Sequence, residues 1–311
     1  MKQAPLYNDL AEGPEGGVAY WLIAPDGVRL RAAYWPGGDK GSVFLFPGRT
    51  EYIEKYGLAA TALKARDYGT LTIDWRGQGL ADRFDSDANL GDVGRFADYQ
   101  LDVAELTQMA QALDCPRPWY LMAHSMGGSI GLRAMHQGLP VNAVAFSGPM
   151  WGILLSPTMR PAAWALSWAT HRLPWGKRYA PGTIQETYVL AEPYEDNMLT
   201  TDSEMFAYMK RHADAHPEMM LGGPSLRWLY EALRETRALR AMTPPDYAVN
   251  TILGSNDRVV DVGPIHEVMA RWPRSKFEVV RGAEHEIMME MPAIRKKYFD
   301  QAADIYSAHP V

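Results

Sequence analysis

The sequence predicts an α/β fold: a mostly parallel central sheet flanked by helices, with a helical cap inserted in its second half. Three features predict it. Short apolar runs alternate with amphipathic segments from residue 42 to 147, and again from 247 onwards. Residues 119–128, Trp-Tyr-Leu-Met-Ala-His-Ser-Met-Gly-Gly, read as a strand, a very tight turn and a helix, with Ser125 at the apex. Between 148 and 246 the alternation stops, and that stretch holds five of the ten tryptophans and eight of the seventeen methionines.

Taken in order, 18–24 and 28–35 read as strands, broken by the turns Asp26-Gly27 and Pro36-Gly37-Gly38. Residues 42–46 form a short buried strand, 56–65 a helix and 70–73 a further strand. Phe96, Tyr99, Val103, Leu106, Met109 and Leu113 recur at steps of three and four, so they share one face of a helix. The run 118–123 is the strand that delivers Ser125, 126–137 the helix leaving it, and 141–146 the next strand. After the inserted stretch come a strand at 247–253, a helix at 262–271, a strand at 277–280 and a closing helix from 293 to about 308. The chain therefore divides into a core, 1–147 with 247–311, and a cap, 148–246.

With 311 residues, 47% of them hydrophobic, the chain can bury a large core and still carry an insertion. A net charge of −6 without a long basic run argues against a nucleic-acid partner. The single cysteine, Cys115, excludes an intramolecular disulfide and fits a reducing compartment. Residues 1–5 lack the apolar core of a signal peptide, and no run approaches the roughly 18 apolar residues that span a bilayer. The expectation is a cytoplasmic protein; a peripheral membrane contact stays open.

The turn at Ser125 carries the chemistry. A strand that reverses sharply into a helix holds its apex residue in strained backbone and lifts the side chain clear of the sheet. Only small residues fit two places either side, here Ala123 and Gly127. A serine hydroxyl needs a base within hydrogen-bond reach, and the base needs a carboxylate to hold its tautomer. Two late strand ends supply both: Gly254-Ser255-Asn256-Asp257 and Gly282-Ala283-Glu284-His285. Asp261 rivals Asp257 as the acid but reads more as a helix cap, and Asp74 is a third candidate. An oxyanion hole needs two backbone donors. Met126, directly after the nucleophile, offers one; Arg49, in the Pro47-Gly48-Arg49-Thr50 loop after strand 42–46, offers the other. Of the other histidines, His124 reads as packing beside the turn. His212 and His216 stand four apart on a cap helix, a metal-like spacing with no evident third ligand. No metal or organic cofactor is expected.

These residues resemble a known family. Phe46-Pro47-Gly48-Arg49 with Glu51-Tyr52-Ile53-Glu54-Lys55-Tyr56 is similar to the oxyanion loop and next helix of the α/β-hydrolase superfamily's bacterial lysophospholipases, in the monoacylglycerol-lipase-like (serine aminopeptidase S33) group. Asp74-Trp75-Arg76-Gly77-Gln78-Gly79 resembles that group's loop after its fourth strand, and 123–128 its nucleophile turn. The resemblance covers about 42–147 and 247–306. Pro47 stands where the group usually has histidine, and Ala123 where it usually has glycine. The resemblance implies Ser125 as nucleophile, His285 as base, Asp257 as acid, and Arg49 and Met126 as oxyanion donors.

The expected reaction is carboxylic ester hydrolysis through an acyl-enzyme, on a lysophospholipid or monoacylglycerol whose tail lies under the cap. Trp151, Trp164 and Trp168 are the candidate substrate-binding residues, the last two falling with Leu166 and Leu173 among Arg160, Arg172, Lys177 and Arg178. A proline iminopeptidase-like peptidase, with Glu186, Glu192 or Glu195 holding the amine, is an alternative. So are an acyltransferase or perhydrolase on the same triad. A non-catalytic binding module is disfavoured by the intact Ser/Asp/His set.

Overall fold

The computed structural model describes residues 1–156, 158–171 and 173–310. Its strands are β1 (Lys2–Ala4), β2 (Val18–Ile23), β3 (Arg29–Trp35), β4 (Ser42–Phe46), β5 (Gly69–Asp74), β6 (Trp119–His124), β7 (Ala143–Ser147), β8 (Ala248–Gly254) and β9 (Ser275–Val280). They form one nine-stranded sheet in the order β1-β2-β3-β5-β4-β6-β7-β8-β9. From β5 to β9 every pairing is parallel; β1, β2 and β3 join antiparallel. The β2–β3 hairpin closes where Asp26-Gly27 was expected to turn, with Gly27 at φ +87° and Ala24 N donating to Val28 O at 2.8 Å.

Every residue of β4, β5, β6, β7 and β8 is buried, because helices cover both faces. That double burial explains why β4, β6 and β7 read as largely apolar runs in the sequence, while β5 and β8 also bury Thr70, Thr72, Asp74, Asn250 and Thr251. β4 sits between β5 on one side and β6 on the other. The chain thus changes direction across the sheet at β4/β6, and the loops leaving these two strands border one crevice at the strands' carboxyl ends. Gly48 and Ser125 are the residues it brings together.

Observed boundaries fall close to the expected ones. The helix expected at 56–65 is Gly57–Lys64, entered through a 3₁₀ turn at Ile53–Tyr56, and the one expected at 126–137 is Met126–His136. The strand expected at 141–146 begins at Ala143, because Leu139 and Val141 close a backbone turn first. β1 and the one-turn helix Asn8–Ala11 were not expected; both are too short to show a periodicity.

The insertion between β7 and β8 carries helices Met159–Thr170, Tyr188–Ala191, Ser203–Ala215 and Leu226–Ala241. It is stitched to the rest. Trp228, Ala232 and Leu239 of the last helix join the main core cluster, and Tyr208 Oη donates to the carbonyls of Ala11 (3.0 Å) and Glu54 (3.1 Å). Arg172 lies outside the described residues. Among the described residues no helix is long and apolar enough to cross a membrane.

Candidate active site

The local backbone holds Ser125 at φ +49°, ψ −118°, a region L-residues avoid at a cost of about 1–3 kcal/mol. Hydrogen bonds on both sides pin it there. Ser125 N donates to Ser147 O at 3.1 Å, and its carbonyl accepts from Gly128 N (2.9 Å) and Met150 N (2.8 Å). Gly127 is glycine for a steric reason: a Cβ there would collide with the carbonyl oxygens of Phe46 and Pro47. Ala123, at the corresponding strand position, is fully buried, and a Cβ at the facing Gly131 would lie 3.5 Å from its own. The tighter contact of a side chain at 131 would be with Leu121 Cδ2, at 3.0 Å.

The loops after β8 and β9 bring Asp257 and His285 together. His285 Nδ1 lies 2.7 Å from Asp257 Oδ2, which keeps the ring proton on Nδ1 and leaves Nε2 for another partner. Asp257 Oδ1 accepts from the amides of Val259 (2.9 Å) and Val260 (3.2 Å). Burial pushes the Asp257 carboxyl up, but the facing His285 and these two amides outweigh it and hold it below its ordinary value. Asp261 does something else: it caps the helix Val262–Ala270 through Gly263 N at 3.2 Å and pairs with Arg160 at 2.8 Å. Asp74 is consumed by Arg31 and by the amides of Ile53 and Leu80. Among the described residues no hydrogen bond joins Ser125 Oγ to His285, but both line one cavity. Such bonds commonly tighten only on substrate.

The amides of Arg49 and Met126 have no acceptor among the described residues. Gly48 sets their spacing, since a Cβ on it would stand 3.1 Å from Ser125 Cβ. Its own N–H donates to Glu51, so a side chain from the following turn fixes the loop's shape. The Pro47 carbonyl is held by Trp75 Nε1 at 2.9 Å.

Beneath this lies a buried charge cluster that the sequence did not reveal. Lys55 Nζ bridges Glu51 Oε1 (2.6 Å) and Glu286 Oε1 (2.7 Å). Tyr56 Oη donates to Glu51. His124 Nε2 stands 3.3 Å from Glu286 Oε2, within ion-pair range but off hydrogen-bond alignment, and its ring is 4.7 Å from that of His285. Burial opposes charge on Lys55, His124 and Glu286, yet their mutual attraction wins. It holds Lys55 and His124 above their ordinary values and Glu286 well below. Glu51, His124 and Glu286 converge as metal ligands would, but the Lys55 ammonium already occupies the position between the carboxylates. His124 is therefore part of an ion cluster as well as packing. His212 and His216 share nothing: Nε2 of the first meets Leu10 O at 2.8 Å, and the second pairs with Glu218 and stacks on Tyr7.

The cavity holding Ser125 and His285 measures ≈ 310 Å³ and is walled by Met150, Ile153, Val189, Leu199, Met209, Met220, Trp228, Val259 and Val260. None of the three expected tryptophans reaches it. Trp151 is sealed against Trp272 and Phe146, its indole N–H spent on Gly128 O at 3.2 Å. Trp164 lines a different cleft with Arg160 and Asp261, and Trp168 is 64% exposed. Methionines and Trp228 take their place.

A family model described as serine aminopeptidase, S33 matches residues 37–292. The chain is 31% identical to lysophospholipase L2 of Escherichia coli K12 over 296 residues, which is 91% of this chain and 84% of that protein. It is 27% identical to a probable lysophospholipase L2 of Haemophilus influenzae over 258 residues, 82% and 80% of the two chains. A soluble variant of monoglyceride lipase from Saccharomyces cerevisiae has the same fold, with TM-score 0.72 at 19% identity over 94% of this chain and 95% of that one. The monoacylglycerol lipase of Paleococcus ferrophilus matches with TM-score 0.70 at 15% identity, over 90% and 99%.

Proposed function

The chain belongs to the serine aminopeptidase S33 family of α/β-hydrolases, and from that premise we propose that Ser125, His285 and Asp257 work as the triad of a lysophospholipase-type serine esterase. The observation that carries this is the His285–Asp257 pair at 2.7 Å opening on the same apolar cavity as Ser125. In the reaction, Ser125 Oγ attacks the ester carbonyl carbon while its proton passes to His285 Nε2. The imidazolium is stabilised by Asp257, and the oxyanion by the amides of Arg49 and Met126. Collapse expels the alcohol, which takes the proton from His285. Water then repeats the sequence on the acyl-enzyme and releases the fatty acid. The protein is a carboxylic ester hydrolase, and each of these steps uses side chains and amides of the chain itself.

The cavity's wall of methionine, valine, leucine and isoleucine fits a flexible acyl chain. It does not fit the peptidase alternative. Glu186, Glu192 and Glu195 are exposed and outside the cavity, while the carboxylates that reach it, Glu51 and Glu286, are bound to Lys55. Among the described residues no other acid lines the cavity to hold a substrate amine. We take 148–246 as the cap. Its outer face exposes Leu166, Trp168, Leu173 and Trp175 near Lys177 and Arg178, the composition of a surface that rests on lipid.

Hydrolysis of a lysophospholipid, a monoacylglycerol, a p-nitrophenyl ester and a prolyl amide tests the reading. The esters are expected to turn over and the amide not; rapid amide cleavage with inert lipids would make the protein a peptidase.

A further inference from the structure

We propose that Gln78 is a positioning residue of the oxyanion hole: its carboxamide holds the Gly48 carbonyl and thereby turns the Arg49 N–H towards the substrate. The proposal rests on the ester-hydrolase reading. It also gives a role to the Asp74-Trp75-Arg76-Gly77-Gln78-Gly79 loop, which the triad does not use.

Of the two amides proposed for the oxyanion, that of Met126 is aimed by the helix it begins. The Arg49 amide lies in a loop, where no helix sets its direction. Its own peptide unit does. The Gly48–Arg49 bond is trans, so its C=O and N–H point to opposite sides of the chain. Fixing one fixes the other. Gln78 Nε2 donates to Gly48 O at 2.9 Å and to Glu51 O at 3.2 Å. Both partners are carbonyl oxygens, so the nitrogen of the carboxamide must face them, and each takes one of its two hydrogens. The two bonds bracket Arg49 and Thr50, the latter at φ +68°, a conformation β-branched residues rarely adopt.

The two sides of the oxyanion loop differ. Gln78 is buried and lies outside the cavity, whereas Arg49, Thr50 and Glu51 line it together with Ser125. The Gly48 carbonyl is thus drawn away from the cavity, and the Arg49 amide, with no acceptor among the described residues, faces the other way. The hold is doubled: Trp75 Nε1 takes the preceding carbonyl, Pro47 O, so one loop grips two successive carbonyls. That loop is itself fixed. Asp74 accepts from Ile53 N and Leu80 N, both at 2.8 Å, and pairs with Arg31 at 2.7 Å. Gly77 at φ +83° and Gly79 at φ +56° let the chain coil tightly on either side of Gln78.

The test is Gln78→Met, which keeps the length of the side chain and has no N–H to give. A misaimed donor should cost less than the roughly 10²–10³ of a deleted one. On p-nitrophenyl butyrate, kcat is expected to fall about 10–100-fold with KM within about threefold. A decyl trifluoromethyl ketone, whose adduct with Ser125 carries the oxyanion, should bind more weakly by the same factor. Decanol, which carries none, should bind as before. Gln78→His can donate one ring N–H and should recover part of kcat. Unchanged kcat, or ketone and decanol weakened equally, would overturn the proposal and leave Gln78 as a structural support. A second measurement needs no variant: the crystal structure of wild-type enzyme phosphonylated on Ser125. The phosphoryl oxygen should lie about 3 Å from the amides of Arg49 and Met126, with Gln78 still on Gly48 O. An oxygen bound without the Arg49 amide would overturn it. Failure of the esterase reading looks different, as no Ser125-dependent hydrolysis of any ester.

Discussion

Ser125→Ala is expected to melt at the parent temperature and to lose about 10⁵–10⁶ of kcat on a p-nitrophenyl ester. The two halves of that expectation have separate causes. Stability is kept because alanine retains the Cβ, adds nothing at φ +49°, and removes a hydroxyl that makes no protein hydrogen bond among the described residues. Activity is lost because the acyl-enzyme has no other oxygen to form on. The remainder would come from the amides of Arg49 and Met126 and from substrate binding, which in triad enzymes leave about 10³–10⁴ over water. Steady-state kinetics beside a thermal melt check both; a variant that is active and folded removes Ser125 from the mechanism.

Asp257→Asn is expected to lower kcat about 10⁴-fold. An amide in that position can present its NH₂ to Nδ1, moving the ring proton to Nε2, where it blocks acceptance from Ser125. Asp261→Ala should leave kcat within a few-fold and instead lower stability by about 1 kcal/mol, the usual loss for a helix N-cap. The opposite pattern would transfer the acid's role to Asp261. The linkage has a definite sign. The folded Asp257 carboxyl lies below its ordinary value, so its stabilisation is complete above the ordinary carboxylate range. It is lost only as pH falls through that lowered value, and Asp257→Asn should flatten this acid limb of the stability profile.

Much of this site was legible because its parts sit directly after strands. A buried parallel strand announces itself as a largely apolar run, as those before Ser125 and Asp257 do, whereas His285 follows the half-exposed edge strand β9, legible from Phe277, Val279 and Val280. The capping by Asp261 was legible too, since it stands where a helix must be capped. The cluster of Glu51, Lys55, His124 and Glu286 was not. Glu51 and Lys55 are spaced as an ordinary exposed helix pair, and the 231-residue separation from Lys55 to Glu286 hides their contact. One signal existed: Glu286 follows His285 directly, and charge beside a candidate catalytic imidazole is rarely idle. The cap tryptophans failed for a different reason. Aromatic content says that surface will be buried, and leaves open which wall does the burying. Trp151 and Trp228 are equally hydrophobic, yet only the second faces the cavity, because its helix packs against the core and it meets Arg49 of the loop after β4.

The account depends on one hydroxyl being made nucleophilic by one imidazole, and a fluorophosphonate reads that reactivity without any assumption about substrate. Treatment of the wild type, digestion and mass mapping should give a single phosphonyl adduct on Ser125, absent in His285→Ala. An adduct on another residue, or labelling of Ser125 undiminished when His285 is removed, would contradict it.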